Sequence, residues 1–181
     1  MTNSIPKWAC ADTSKSLPII REAGETENVD FKAAFPEQGH RLAKEIAGLA
    51  TKGGGRIFIG IDDNGALVGL SASNADERDD LAERAHSIAL SVKPQVTVEI
   101  LFAVENDLTV LVIVIPKQIE PVFYYEGRPY LRDQRRARRA EPHEVKEAVW
   151  LHPSSEQKRR LEDLTYQQQR DFLNKQRSRF S

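Results

Sequence analysis

The sequence predicts an α+β domain in which a mixed, mostly antiparallel sheet packs with helices. Two observations lead to this prediction. Short segments rich in β-branched or alternating apolar residues are separated by turn sequences, whereas two longer segments carry apolar residues at helical spacing. Along the chain these segments follow the order β-α-β-β-α-β-β-β-β-α. With 181 residues and 40% hydrophobic content, the chain is expected to form a single compact core.

The first strand and helix are expected in residues 28–50. The segment Val29-Asp-Phe-Lys-Ala33 alternates apolar and polar side chains, as a half-buried strand does. Residues 38–50 carry Leu42, Ile46 and Leu49 on one helical stripe. Three glycines at 53–55 then end the helix. Because consecutive glycines also suit a phosphate-binding loop, ATP binding is kept as an alternative for this segment.

The middle of the chain predicts a hairpin followed by a helix. Residues 56–61 form a short apolar run, expected to be a strand buried on both faces. The turn sequence Asp62-Asp-Asn-Gly65 leads into residues 66–70, which would complete the hairpin. A second helix is expected over residues 75–92 and is ended by Pro94.

The later segments predict two strand pairs and a helical tail. The pairs are residues 95–104 with 108–115, and residues 122–125 with 129–132. Helix is expected over residues 142–151 and, after Pro153, over residues 154–177, which are very polar. We therefore divide the chain into a flexible N-terminal arm (1–16), a core domain (17–151) and a polar C-terminal helix (152–181).

Composition excludes several classes of protein. A single cysteine, Cys10, rules out an intramolecular disulfide framework and multi-cysteine metal clusters, and it suits a reducing compartment. The most apolar stretch, residues 108–115, is far shorter than the ~20 residues of a membrane span. We expect a soluble cytoplasmic protein with no membrane partner.

The two parts of the chain carry opposite charge. Residues 1–125 contain 12 basic and 18 acidic side chains, whereas residues 126–181 contain 14 and 9. The net charges are therefore −6 and +5. The basic excess is concentrated in Arg128, Arg132, Arg135, Arg136, Arg138 and Arg139. Clustered arginines suit phosphate oxygens and predict contact with a polyanion, although a solvated strip or a self-association face has the same composition.

Acidic residues flank the first two predicted strands. Glu25, Glu27 and Asp30 lie at the entrance of the first strand, and Asp62 and Asp63 lie at the exit of the second. If the strands are neighbours, these carboxylates could converge at one end of the sheet. Converging carboxylates bind Mg²⁺ or Mn²⁺ in sites that activate water against phosphodiesters. The alternative is that they are solvated or cap turns.

Three motifs resemble the Schlafen core domain, also called the Alba-like Schlafen domain. They are Gly24-Glu-Thr-Glu-Asn-Val-Asp-Phe-Lys32, Leu42-Ala-Lys-Glu-Ile-Ala-Gly-Leu-Ala50 and Gly54-Gly-Arg-Ile-Phe-Ile-Gly-Ile-Asp-Asp-Asn-Gly-Ala-Leu-Val-Gly-Leu70. Downstream, residues 110–116, 121–127 and 130–132 resemble the later strands of that family. The resemblance covers residues 18–150.

The resemblance implies a metal-dependent RNA-cleaving site. In nuclease members of the family, the positions matching Glu25, Asp30 and Asp63 hold the metal, with Asp62 the second choice for the third ligand. Lys32 would contact the scissile phosphate. The sequence departs from the family in having Asp30 where Glu is frequent, and in an arginine run that replaces the Arg-x-Gly-Ser turn after Arg132.

The leading hypothesis is therefore an endoribonuclease that uses Mg²⁺ or Mn²⁺ and acts on structured RNA such as tRNA, with DNA a further candidate substrate. Lys32 and the arginines from Arg128 to Arg139 would hold the phosphate backbone. A lone module suggests a homodimer, in which the polar C-terminal helix is a candidate contact. The second hypothesis is a non-catalytic nucleic-acid-binding or regulatory module. The third is a nucleotide-binding protein, based on the triple glycine.

Overall fold

The computed structural model describes residues 5–72, 74–151 and 170, and within them lie four helices and eight strands. In chain order they are α1 (Ala11–Ala23), β1 (Val29–Lys32), α2 (Gly39–Lys52), β2 (Gly55–Ile59), α3 (Ala75–Leu90), β3 (Val92–Lys93), β4 (Glu99–Glu105), β5 (Leu108–Ile115), β6 (Phe123–Tyr125), β7 (Arg128–Asp133), β8 (Arg136–Arg139) and α4 (Pro142–Leu151). The expected helix over 154–177, with the unit 152–181, lies outside the described residues apart from residue 170.

The strands form two four-stranded sheets. The first sheet has the order β1-β2-β5-β4, and the second has the order β3-β6-β7-β8. Only β1 and β2 run parallel among the paired strands of the described chain, and the other pairs are antiparallel. The predicted α+β class, with mostly antiparallel strands, is confirmed.

The first sheet is covered on both faces. On one face, Ile57 and Ile59 of β2 join a core cluster with residues of α2. On the other face, Phe58 packs with Phe31 and with Leu17 of α1. All five side chains are completely buried. The prediction that β2 is buried on both faces is confirmed, and its continuous apolar sequence follows from this position.

Helix α2 lies between the two sheets. It contacts β2 and β5 of the first sheet and β3, β6, β7 and β8 of the second. The helix ends at Gly53, which has φ 109° and places its N–H within reach of the Ala50 and Leu49 carbonyls. A left-handed residue at this position favours glycine, so the helix-stop interpretation of the triple glycine is confirmed. Helix α2 therefore packs against both sheets and forms the layer between them.

The expected flexible N-terminal arm over residues 1–16 is wrong for residues 11–16, because α1 begins at Ala11. The Cys10 N–H donates to the Phe102 carbonyl at 2.7 Å, and the Ser14 hydroxyl accepts from the Val104 N–H at 3.0 Å. These bonds cover the open edge of β4, which is an exposed liability in an isolated sheet. The start of α1 thus covers the edge strand of the first sheet.

Two further boundaries differ from expectation. Residues 66–70 contribute only isolated bridges, Ile61 with Leu67 and Leu70 with Thr109, although the turn at Asp62 is present. The arginine run contains an additional strand, β8, which forms a hairpin with β7. Its turn uses Gln134 at φ 51°, a left-handed conformation that favours glycine. None of the helices in the described residues is long and apolar enough to cross a membrane.

Candidate functional site

Asp30 and Arg132 form a buried ion pair between the two sheets. Asp30 lies on β1, on the same face as its register partner Ile57, which is the face that α2 covers. Its Oδ1 is 2.9 Å from Nη1 of Arg132 on β7, and the side chains are 1% and 0% exposed. Its Oδ2 contacts Nζ of Lys32 at 2.5 Å. Both carboxylate oxygens of Asp30 are therefore engaged by cations.

Glu45 of α2 is the second acid of this cluster. Its Oε2 accepts from Arg132 Nη1 at 2.6 Å and from the Ala137 N–H of β8 at 3.1 Å. Burial raises the pKa of this carboxyl, the Asp30 charge raises it further, and the Arg132 guanidinium only partly offsets both effects. Two acids and two bases, Asp30, Glu45, Lys32 and Arg132, thus meet with formal charges that cancel. We call this group the charge cluster.

Glu45 was not among the expected site residues, although its position in the sequence carries a signal. Glu45 is three residues after Leu42 and four before Leu49, so it lies on the apolar stripe of α2. An acid on a buried stripe needs a buried partner, because an unpaired charge is expensive to desolvate. That partner is Arg132. It was expected to contact phosphates on the surface, whereas the structure places it in the interior.

The second terminal nitrogen of Arg132 is directed at main-chain carbonyls beside the edge of β1. Its Nη2 lies 3.3 Å from the Val29 carbonyl and 3.4 Å from the Thr26 carbonyl. Its Nε is buried and has no hydrogen-bond partner within the described residues. The guanidinium is therefore a link between β7, α2 and β1, and it is not available to a phosphate group outside the protein.

Glu25 and Lys32 also lie along the outer edge of β1. The Glu25 Oε1 accepts from the Phe31 N–H, and the Lys32 Nζ donates to the Phe31 carbonyl, each at 2.9 Å. The main-chain N–H and carbonyl of Phe31 both point away from β2. The carbonyls bonded to the β2 segment are those of Asn28 and Lys32, which alternate with Phe31 along the strand. Both side chains thus satisfy main-chain groups of an edge strand.

Asp62 and Asp63 lie at the opposite end of the β1–β2 pair from Glu25, beyond the end where β1 stops at Lys32. Since β1 and β2 are parallel, the entrance of β1 and the exit of β2 are at opposite ends of the pair. The Asp62 Oδ1 accepts from the Asn64 and Ala66 N–H groups at 2.9 and 2.7 Å, so this carboxylate closes the turn. Asp63 is exposed.

The three predicted metal ligands do not fit a divalent ion in this arrangement. Both oxygens of Asp30 already contact cations, Glu25 is bonded to the main chain, and Asp63 follows the far end of β2. Residues 5–72 and 74–151 contain no group of three acids, histidines or cysteines that could hold a metal. A divalent ion at Asp30 would also meet the Arg132 charge at close range.

The β7–β8 hairpin carries the other predicted contacts. Four of its arginines, Arg128, Arg135, Arg136 and Arg139, are exposed and make no ion pair with the part of the chain that the structure describes. We call them the free arginines. Arg138 instead pairs with Asp133 at 3.0 Å and with Glu144 at 2.6 Å. Bonds from Arg138 and from the Glu141 N–H lower the pKa of Glu144 to about 2.

Comparisons with known proteins agree on the fold. Residues 25–141 match the family model described as Schlafen, AlbA_2. No curated protein matches the sequence. Among solved structures, the DIP2311 protein from Corynebacterium diphtheriae is similar with a TM-score of 0.50 and 22% identity. The match covers 70% of this chain and 24% of that one, so this chain corresponds to about a quarter of that protein's length.

Proposed function

Because this chain belongs to the Schlafen AlbA_2 family, we propose that it is a nucleic-acid-binding module that holds the phosphate backbone through the free arginines of the β7–β8 hairpin. The observation that carries the proposal is the placement of these four exposed guanidinium groups on one short hairpin, without ion-pair partners in the described residues. Arginine presents a rigid fork of donors that matches phosphate oxygens.

The charge distribution supports the same surface. Residues 1–125 have a formal charge of −6, whereas residues 126–151, which contain the hairpin, carry seven basic and five acidic side chains, a net charge of +2. A polyanion would therefore be repelled by most of the molecule and attracted to the hairpin end. Binding through phosphates is accompanied by release of counterions, so the affinity should fall steeply as salt increases.

Structured RNA such as tRNA is the proposed ligand. A folded RNA presents closely spaced phosphates in a fixed shape, and the paired strands β7 and β8 present their arginines in a fixed register. Phosphate contacts alone do not distinguish RNA from DNA, so duplex DNA of similar length is the comparison ligand.

The test is binding of labelled tRNA to the full chain over a series of salt concentrations. We expect a variant with Arg135→Ala and Arg136→Ala to bind more weakly and to show a salt slope shallower by about two, one for each arginine removed. The matched control is Arg56→Ala, an exposed arginine at the start of β2. Equal losses of affinity in the control and the hairpin variant, or a wild-type affinity that ignores salt, would reject the proposal.

A metal-dependent endoribonuclease is the second candidate, and one observation favours it. Glu25 and Lys32 both bond the main chain of Phe31 on the edge of β1, and Lys32, which also contacts Asp30, is 29% exposed, so a bound RNA could reach Lys32. The test is incubation of tRNA with the protein and Mn²⁺ or Mg²⁺, beside Lys32→Ala and EDTA controls. Discrete fragments that both controls abolish would establish cleavage. Intact RNA that is shifted on a native gel supports the binding module.

A homodimer is also proposed. Helix α4 has no buried residue, and its last turn exposes Val149 and Leu151 by 45% and 64%. Apolar side chains exposed in the same helical turn favour a contact with another surface. Light scattering at micromolar concentration should report twice the chain mass, and a Val149→Glu, Leu151→Glu variant should report the monomer mass. A wild-type chain that is monomeric under these conditions would remove the dimer from the proposal.

A further inference from the structure

We infer that Glu45 is a positioning residue for the nucleic-acid interface, an inference that rests on the function proposed above. The Glu45 carboxylate bonds Arg132 on β7 and the Ala137 N–H on β8. Arg132 and Ala137 are register partners in the hairpin. One carboxylate on α2 therefore holds both strands that carry the free arginines.

The bond to Ala137 fixes a part of β8 that the sheet itself leaves open. Strand β8 is at the edge of the second sheet. The Ala140 N–H donates to the Pro129 carbonyl of the β7 side, and in an antiparallel pair alternate residues point toward the partner strand. The Ala137 N–H consequently points away from β7. Glu45 occupies this open side of β8 and ties it to α2.

Close packing one turn later on α2 supports the same contact. Gly48 is buried, and a Cβ at this position would lie 3.0 Å from the Ala137 Cβ and 3.3 Å from the Leu131 carbonyl oxygen. The helix therefore approaches the hairpin backbone more closely than an alanine would readily allow. Glu45 and Gly48 together set the position of β8 relative to the core.

Fixed geometry matters for a surface that binds through several phosphates. Arg136 and Arg139 are on β8, and Arg135 is in the turn before it. Contacts to successive phosphates form together only if the strand that carries the arginines keeps its position, because a mobile strand must be ordered during binding. Removal of the Glu45 carboxylate should therefore reduce the number of phosphates that the hairpin holds at once.

Charge and position predict opposite results for Glu45, and this makes the inference testable. Glu45 is an acid close to a basic surface, so by charge alone its removal would tighten the binding of a polyanion. If Glu45 positions the hairpin, its removal weakens binding although the net charge becomes more favourable. A neutral side chain that keeps the acceptor atom should then preserve the affinity.

The experiment measures tRNA binding and its salt dependence for the full chain and three variants. We expect Glu45→Ala to weaken binding roughly tenfold and to make the salt slope shallower by about one. Glu45→Gln should stay within about twofold of wild type, since its amide oxygen still accepts from the Ala137 N–H. The matched control is Glu83→Ala, which removes an exposed acid from α3 and should not weaken binding.

The charge-neutral variant Gly48→Ala tests the same contact if Glu45→Ala does not fold. Alanine favours the helix, but its Cβ must displace Ala137, so binding should weaken roughly threefold with no change of charge. The inference is overturned if Glu45→Ala binds as tightly as wild type, or if Glu45→Gln is as weak as Glu45→Ala. A wild-type chain without salt-dependent binding would instead reject the proposed function itself, and the inference with it.

Discussion

The Glu25 carboxylate accepts a 2.9 Å hydrogen bond from the main-chain N–H of Phe31, six residues later in the chain. Phe31 is in β1, the edge strand of the first sheet, and this N–H points away from β2. Edge strands with unpaired main-chain groups invite association with other chains. Glu25 therefore has a role in the fold that does not depend on any bound ion.

This role predicts the effect of two substitutions. Glu25→Ala should lower the free energy of unfolding by about 1 kcal/mol, because the Phe31 N–H loses its acceptor. Glu25→Gln should be close to wild type, because the amide oxygen can still accept. Urea unfolding checks both, with Glu22→Ala, an exposed acid in α1, as the control. A Gln variant as unstable as the Ala variant would contradict this interpretation.

The buried pair between Asp30 and Arg132 predicts a larger effect. Arg132→Met should destabilise the protein by about 3–5 kcal/mol, because Asp30 and Glu45 would lose their buried cation. The double variant Arg132→Met, Asp30→Asn should lose less than the sum of the two single changes. Additive losses of stability, measured by the same unfolding assay, would show that the two side chains do not act together.

Neither a chelator nor added divalent metal should change the stability or the RNA binding of the protein. Since Lys32 and Arg132 occupy both oxygens of Asp30, we expect EDTA, Mg²⁺ and Mn²⁺ to have no effect on the melting temperature or on tRNA binding. A rise in melting temperature with Mn²⁺ that disappears in Asp30→Asn would show that a divalent ion displaces these cations. Glu83→Ala, far from β1 in sequence and exposed, serves as the control for nonspecific binding of the ion.

The pair between Arg138 and Glu144 predicts a change of stability with pH. Its bonds lower the pKa of Glu144 in the folded protein to about 2, from an ordinary value of 4.5. The folded state thus holds this proton less tightly than the unfolded state. The stabilisation is complete above pH 4.5 and is lost as the pH falls toward 2.

Carbon-detected NMR of the glutamate side chains measures this titration directly. Arg138→Ala should raise the pKa of Glu144, because the guanidinium that bonds both of its carboxylate oxygens, at 2.6 and 2.8 Å, is removed. Asp133→Asn serves as the control, since it alters the other partner of Arg138 and leaves the Glu144 bonds in place. A pKa that is unchanged in Arg138→Ala would contradict the assignment.

Local patterns in the sequence are sufficient for most of the elements. Strand β5 has the predicted bounds, and the continuous apolar run in β2 correctly indicated a strand buried on both faces. Helix α1 escapes prediction because two of its three buried residues are Thr13 and Ser14, which leave no apolar stripe to detect. Strand β8 escapes prediction because three of its four residues are arginines.

The charge cluster cannot be derived from local patterns. Arg132 contacts Asp30 and Glu45 across separations of 102 and 87 residues. The convergence expected for Glu25, Asp30 and Asp63 requires a strand orientation that the sequence does not specify, and the parallel pairing of β1 and β2 places the two ends apart. Pairing direction depends on the whole sheet, whereas periodicity reports only which face each residue occupies.

The position of Arg132 also has a consequence for how the protein unfolds. Its backbone belongs to the second sheet, and its side chain contacts β1 of the first sheet and α2 between them. Separation of the sheets would take the Arg132 guanidinium away from Asp30 and Glu45 and leave only Lys32 beside Asp30, so a partly opened state is strongly disfavoured. The two sheets should therefore unfold in one cooperative transition, and the slowest amides of β1 and β7 should exchange with solvent at a common rate.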